Sequence, residues 1–239
     1  MKTQSPLEEI ADLHRLFTVE HIMVPISKLE RASTLEQAVP GFKDYDNIIS
    51  PKTGAIKGYF SRIDRKHYLI EKKDLLGGGT SLLDLPALFG RRDFYYVLHG
   101  NEIAGYVHYS DLNNNYVRVP VFGLLQIVER KMWSKIKQKV DADTIKRILP
   151  ERFEEIVAKK ERNDSYNVGL GWADVLYFAE ILQLAASLKA VDLDDSDISK
   201  FGHVRNGVAH PSRTFVPKRN TIEEIALVCK KSMDIVQSA

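Results

Sequence analysis

The 239 residues carry 34 lysines and arginines against 32 aspartates and glutamates, a net charge of +2 that is too small to point to nucleic acid by itself. A hydrophobic fraction of 44% and a charged fraction of 28% exclude a disordered, collagen-like or low-complexity chain, and the length leads us to expect two domains of roughly 100 to 130 residues each. Cys229 is the only cysteine, which excludes an internal disulfide and a cysteine-built zinc site and fits a reducing cytoplasm. The opening MKTQSPLEEIADLHR has no apolar signal-peptide core, and no apolar run nears the roughly 20 residues that span a bilayer, so neither export nor membrane insertion is expected.

Along the chain the first signal is an internal repeat: GYFSRID at 58–64 and GYVHYSD at 105–111 lie 47 residues apart. Each copy follows a strand-like run, Tyr45 to Ser50 and Phe94 to Leu98, across turn residues Lys52-Thr53-Gly54 and His99-Gly100-Asn101, so both read as hairpins. Short helices are expected beside them: one opened by Ser33 and Glu36 at capping-box spacing and ending near Pro40, another over Leu82 to Phe89. After Asn113-Asn114-Asn115 the apolar period lengthens from two to about 3.6. Val121, Leu124, Leu125, Val128, Met132 and Ile136 share one face of a long amphipathic helix. Further helices are predicted over Ala142 to Arg162, Trp172 to Leu188, and Ser196 to Ala209 before Pro211, and a last one from Thr221, where Glu224 completes a capping box. Four or five helices with short connections make a bundle.

The repeated motif carries its own chemistry. Gly58 lets a backbone approach a ligand, the Ser61 hydroxyl can donate to phosphate, and the Asp64 carboxylate can accept from ribose hydroxyls; the second copy keeps Gly105 and Asp111 but has His108 in place of the hydroxyl. These residues, with FTVEHIMVPISKLERASTLEQAV and YYVLHGNEIAGYVHYSDLN around them, resemble paired CBS domains over about residues 17–115. The resemblance implies an α/β module that binds an adenine nucleotide such as AMP or ATP at Gly58, Ser61 and Asp64 and at Gly105, His108 and Asp111, and that associates as a homodimer. The plainer reading makes the same residues strand and cap positions of a scaffold that only dimerises.

Within SKFGHVRNGVAHP, Arg205, Asn206 and His210 stand in an Arg-polar-x-x-x-His arrangement. Arg62 and His67 match the bare spacing too, but Ile63 follows that arginine and the segment belongs to the first repeat. Gly202 and Gly207 flank the later motif, each costing a helix about 1 kcal/mol relative to alanine, which suggests that close backbone approach outweighs helix stability there. Arg205 and His210 are five apart, about 140° around an ideal helix, and Pro211 disfavours helical geometry at His210, so its side chain should leave from the helix end. This motif in a helical context over residues 120–239 resembles HEPN domains, many of which are metal-independent ribonucleases with a composite active site across a dimer.

That resemblance implies His210 as general base on a ribose 2′-hydroxyl, since an imidazole's ordinary pKa of about 6.5 lies near working pH. It implies Arg205 as stabiliser of phosphate charge and Asn206 as orienting group, with no metal and no catalytic cofactor. Lys131, Lys135, Lys139, Arg213, Lys218 and Arg219 are candidate RNA contacts, although the lysines also fit a solvated helix face, and His203 reads as a surface residue. The expected architecture is therefore a two-domain α+β chain: a tandem CBS module over 1–118 and an all-α HEPN bundle over 119–239. The expected function is a cytoplasmic, nucleotide-regulated endoribonuclease of the toxin or antiviral-defence kind. The competing expectation is a non-catalytic regulatory dimer that binds RNA or a protein.

Overall fold

The computed structural model describes residues 4–166, 169–212 and 214–238. It opens with helix α1 (Pro6–Leu16), started by Ser5, whose hydroxyl accepts from Glu8 N at 3.3 Å while the Glu8 carboxylate accepts from Ser5 N at 2.7 Å. Strand β1 (Val24–Pro25) and the short α2 (Leu35–Ala38) follow. The cap of α2 is Thr34, which accepts from Gln37 N, one residue later than expected, because the Ser33 hydroxyl accepts from Lys52 N instead.

Both hairpins form. Strands β2 (Asn47–Ser50) and β3 (Gly58–Ser61) pair antiparallel, as do β6 (Phe94–His99) and β7 (Glu102–His108). Gly54 and Gly100 in the connecting turns have φ of 82° and 60°, the left-handed region where a side chain is strained. The repeats diverge beyond β3 and β7. After β7 a 3₁₀ turn, Tyr109–Asn113, leads into the bundle. After β3 the chain reverses through Arg65, at φ 55°, into a third strand, β4 (His67–Leu69). The remaining pieces are β5 (Leu75–Gly77), parallel to β6, and α3 (Leu85–Phe89). The described strands form two sheets, in the orders β1-β7-β6-β5 and β2-β3-β4, with Tyr59 of one in ring contact with Phe94 and Tyr96 of the other.

From Asn115 onward the described regular structure is helical: α4 (Asn115–Ile136), α5 (Ala142–Ile148), α6 (Phe153–Ser165), α7 (Phe178–Ser187), α8 (Asp195–Ala209) and α9 (Arg219–Gln237). Among the described residues no helix is long and apolar enough to cross a membrane. The single helix expected over 142–162 is split at Pro150, whose missing N–H and ring break the ladder and leave a 3₁₀ turn over Pro150–Arg152. The helix expected from Trp172 begins as a 3₁₀ turn, Trp172–Val175, and becomes α-helical at Phe178. The last helix starts at Arg219 rather than Thr221, without the expected capping box.

A continuous buried cluster runs through both halves, from Ile10, Val19, Leu85 and Phe89 through Leu124, Leu125 and Met132 to Phe201, Ile225 and Val236. Helix α3 packs on α9, and α1 packs on α4 and α9. A smaller cluster of Ala32, Ala38, Phe42, Ile48 and Phe60 lies under the first hairpin. Both tryptophans, Trp133 and Trp172, sit in the second half and pack against the large cluster, so they report on a core to which the first half contributes. Phe89→Ala, at a fully buried position of α3, should lower unfolding stability by about 3–5 kcal/mol. It should shift the midpoint of a denaturant transition followed by tryptophan fluorescence; an unmoved midpoint would show that the halves unfold independently.

Candidate functional site

The two glycines of the repeats admit neighbouring chain. A Cβ on Gly58 would collide with the Tyr68 carbonyl oxygen of β4, and one on Gly105 would stand 2.8 Å from the Val24 carbonyl oxygen of β1. Ser61 and Asp64 lie in the β3–β4 turn and hold it together. The Ser61 hydroxyl accepts from Ile63 N at 3.3 Å, and the Asp64 carboxylate accepts from Lys66 N at 3.4 Å and from the Tyr68 hydroxyl. The Tyr68 hydroxyl is the main cause that holds the exposed Asp64 carboxyl below the usual carboxylate range. Ser61 is half-buried at the end of β3, and Asp64 is exposed.

The second repeat differs. His108 and Asp111, with Ser110, line a cleft of 270 Å³ that is completed by Tyr106, Asp44, Tyr45, Asp46 and Asn47 from the chain around β2 and β7. Asp111 accepts from His108 N at 2.7 Å, which closes the 3₁₀ turn, and His108 Nδ1 accepts from Ser110 N at 3.3 Å. The Ser110 hydroxyl lies 2.8 Å from the same nitrogen. Burial pulls the His108 pKa down and pushes the Asp111 carboxyl up, so the imidazole is neutral at pH 7. The lining carries three carboxylates, of which Asp46 is ion-paired with Arg62 outside it, and no lysine or arginine of its own, which suits hydroxyl and amine donors better than bare phosphate. Among the described residues no His, Cys, Asp and Glu cluster could hold a metal.

At the hairpin-tip end a larger cleft of 580 Å³ has an apolar floor that includes Ile26, Ile70 and Leu98, and two cations, Arg31 and Lys57. Arg31 donates to the Gly54 carbonyl at 3.3 Å. Gly54 and Asn101, from the turns of the two hairpins, also line it.

In the helical half, Arg205 lies within α8 and His210 caps its end, exposed, with φ −115° and ψ 83°, as Pro211 requires. Asn206 and His203 are exposed too. Arg205 is partly buried, and its Nε is fully covered without a hydrogen-bond partner among the described residues. It lies close enough to Glu129 of α4 to lower that carboxyl's pKa, against the stronger upward push of burial, while Gln126 Nε2 donates to Glu129 at 3.0 Å. The sequence reading missed Arg118. It is only 5% exposed on α4, and one guanidinium nitrogen donates to the Gly207 carbonyl at 2.6 Å and the His210 carbonyl at 3.2 Å. Its charge lies over the Phe215 ring, 5.3 Å from the centroid. Gly207 is glycine for a related reason: a Cβ there would stand 3.1 Å from that same ring. A Cβ on Gly202 would meet nothing, so close approach does not account for it.

Two further features border the helix end. Asn113 is paired twice with Val216, accepting from its N–H at 2.7 Å and donating to its carbonyl at 3.5 Å, which ties the chain after α8 to the turn of the second repeat. An apolar groove of 350 Å³ runs past Val119 and Phe122 of α4 to Val208, Ala209 and Pro211, with Val119 half exposed. Of the candidate RNA contacts, Lys131 donates to the Val236 carbonyl at 2.9 Å and to the Ser238 carbonyl, and Arg219 pairs with Asp93. Lys139 and Lys218 are exposed, Lys135 lines a cleft between the ends of α7 and α9, and Arg213 lies outside the described residues.

No family model and no curated protein matches the chain. Among solved structures it is similar to the CBS domain of the bacterial CNNM/CorC family Mg2+ transporter in complex with the novel inhibitor IGN95a, at 15% identity and a TM-score of 0.35 over 47% of this chain and 83% of that one. It is also similar to that CBS domain in complex with ATP, at 17% identity and a TM-score of 0.34 over 50% of this chain and 96% of that one.

The cleft histidine makes a pH test available. Its folded-state pKa is depressed below the unfolded value near 6.5, so the unfolded chain binds the extra proton and stability falls as pH drops through that value. The loss of stability between about pH 7.5 and about pH 5 should be smaller in His108→Asn than in the wild type, read from urea midpoints; equal losses would show that His108 is not held neutral.

Proposed function

We propose that this protein is a nucleotide-regulated, metal-independent endoribonuclease of HEPN type that acts as a homodimer in the cytoplasm, in growth arrest or antiviral defence, with a CBS-type first half that senses an adenine nucleotide. The observation that carries the proposal is the end of α8, where His210 is exposed on a helix terminus whose backbone is anchored from beneath. In this reading His210 removes the proton of a ribose 2′-hydroxyl, and the 2′ oxygen attacks the adjacent phosphorus. The bond to the 5′ oxygen breaks as that oxygen takes up a proton, leaving a 2′,3′-cyclic phosphate and a 5′-hydroxyl. Because the nucleophile is internal to the RNA, no metal is needed to supply it.

Arg205 spreads its charge over the phosphate and Asn206 orients the imidazole or the substrate. Two copies bring their motifs to one scissile phosphate, and the apolar groove past Val119 and Phe122 supports a second chain seated nearby. His210→Ala should reduce cleavage in chelator-containing buffer by at least about a hundredfold, read from end-labelled RNA; cleavage that survives removes the mechanism.

One observation favours the non-catalytic regulatory reading: Arg205 is partly buried, with its charge near the Glu129 carboxylate of its own chain, as a helix anchor would be. Both readings keep the sensing half. The carboxylate-lined cleft at His108 and Asp111 favours the nucleoside part of a ligand, and its charge ranks adenosine and AMP above metal-free ATP. A thermal-shift panel should therefore show the melting temperature rising with adenosine or AMP, and less so in Asp111→Asn; no shift with any adenine compound would remove the sensing role.

A further inference from the structure

We infer that Arg118, which stands outside the Arg/His motif and is 92 residues from His210 in sequence, is the positioning residue that fixes His210 for the reaction proposed above; the inference rests on that reading of the site. Its charge is almost wholly buried, and burial pulls its pKa down. Burying a guanidinium costs free energy unless it is hydrogen-bonded, and one nitrogen of Arg118 donates to two carbonyls at the end of α8. Those carbonyls carry the negative end of the helix dipole and have no partners further along the helix, because Pro211 stops it.

The contact is specific. One nitrogen reaches Gly207 within the last turn and also His210, the residue that leaves the helix, so a single donor bridges the step at which the backbone changes direction. Phe215 closes over the face of the guanidinium, and Gly207 leaves room for the ring. The backbone from which the imidazole leaves the chain is thus held by a side chain from another helix. A lysine in place of Arg118 keeps the charge but loses the planar guanidinium that lies over the Phe215 ring and sets the donating nitrogen between the two carbonyls.

The test uses the full chain. Arg118→Lys should lower kcat for RNA cleavage by about a hundredfold, the scale of a misplacement near 1 Å, with KM changed less than about threefold. Guanidinium ion added to Arg118→Ala should restore part of that loss, and ammonium should not. Independently of activity, the His210 imidazole resonance, assigned by its loss in His210→Ala, should shift and broaden in Arg118→Lys. Unchanged kcat in an active enzyme, or equal recovery with ammonium, overturns the inference.

If the wild type cleaves no RNA, the ribonuclease reading fails by itself. The positioning claim is then decided by the resonance, and an unshifted His210 signal overturns it. If Arg118→Lys does not fold, Phe215→Leu, which removes the ring beneath the guanidinium while keeping an apolar side chain, answers the same questions with the same outcomes.

Discussion

The constraint on which the molecule depends is that α4 belongs to both halves. It is capped at Asn114 by the turn that ends the second repeat, and its buried face, from Val117 to Ile136, forms part of the large apolar cluster of the bundle. A rigid helix of 22 residues shared in this way fixes the cleft turn and the end of α8 relative to each other. α3 against α9 and the ion pair of Arg219 with Asp93 close the same arrangement from the other side.

Much of the fold was legible because simple periodicities govern it. The hairpins announce themselves by aromatic and β-branched runs with glycine at turns of positive φ, and α4 by six apolar residues on one stripe. What escaped has identifiable causes. Pro150 was a visible stop that the apolar spacing of Ile145, Leu149 and Ile156 obscured. The divergence of the repeats was visible one residue beyond the motif. Leu112 follows Asp111 and is fully buried, anchoring the turn to the core, whereas the aligned position after Asp64 is Arg65, which has no place in a core and takes up the reversal into β4.

The candidate sites were legible to a different depth. Residue identities placed His210 at the end of α8 and foresaw that Pro211 would turn it off the helix axis. They gave no sign that Arg205 would face Glu129, since that depends on which faces of α4 and α8 meet. Arg118 was the detectable omission: a cation set between Val117 and Val121 in an otherwise apolar stripe is the kind of residue that must be paired. At the glycines of the repeats, the space that a side chain would need is taken by β1 and β4.

The double pairing of Asn113 with Val216 has a mechanical consequence. The turn that carries His108 and Asp111 and the segment that follows α8 are registered to each other by side chain against backbone. Any shift of that turn therefore pulls on the segment after α8 through two hydrogen bonds, so the coupling of the two halves at this point is intramolecular.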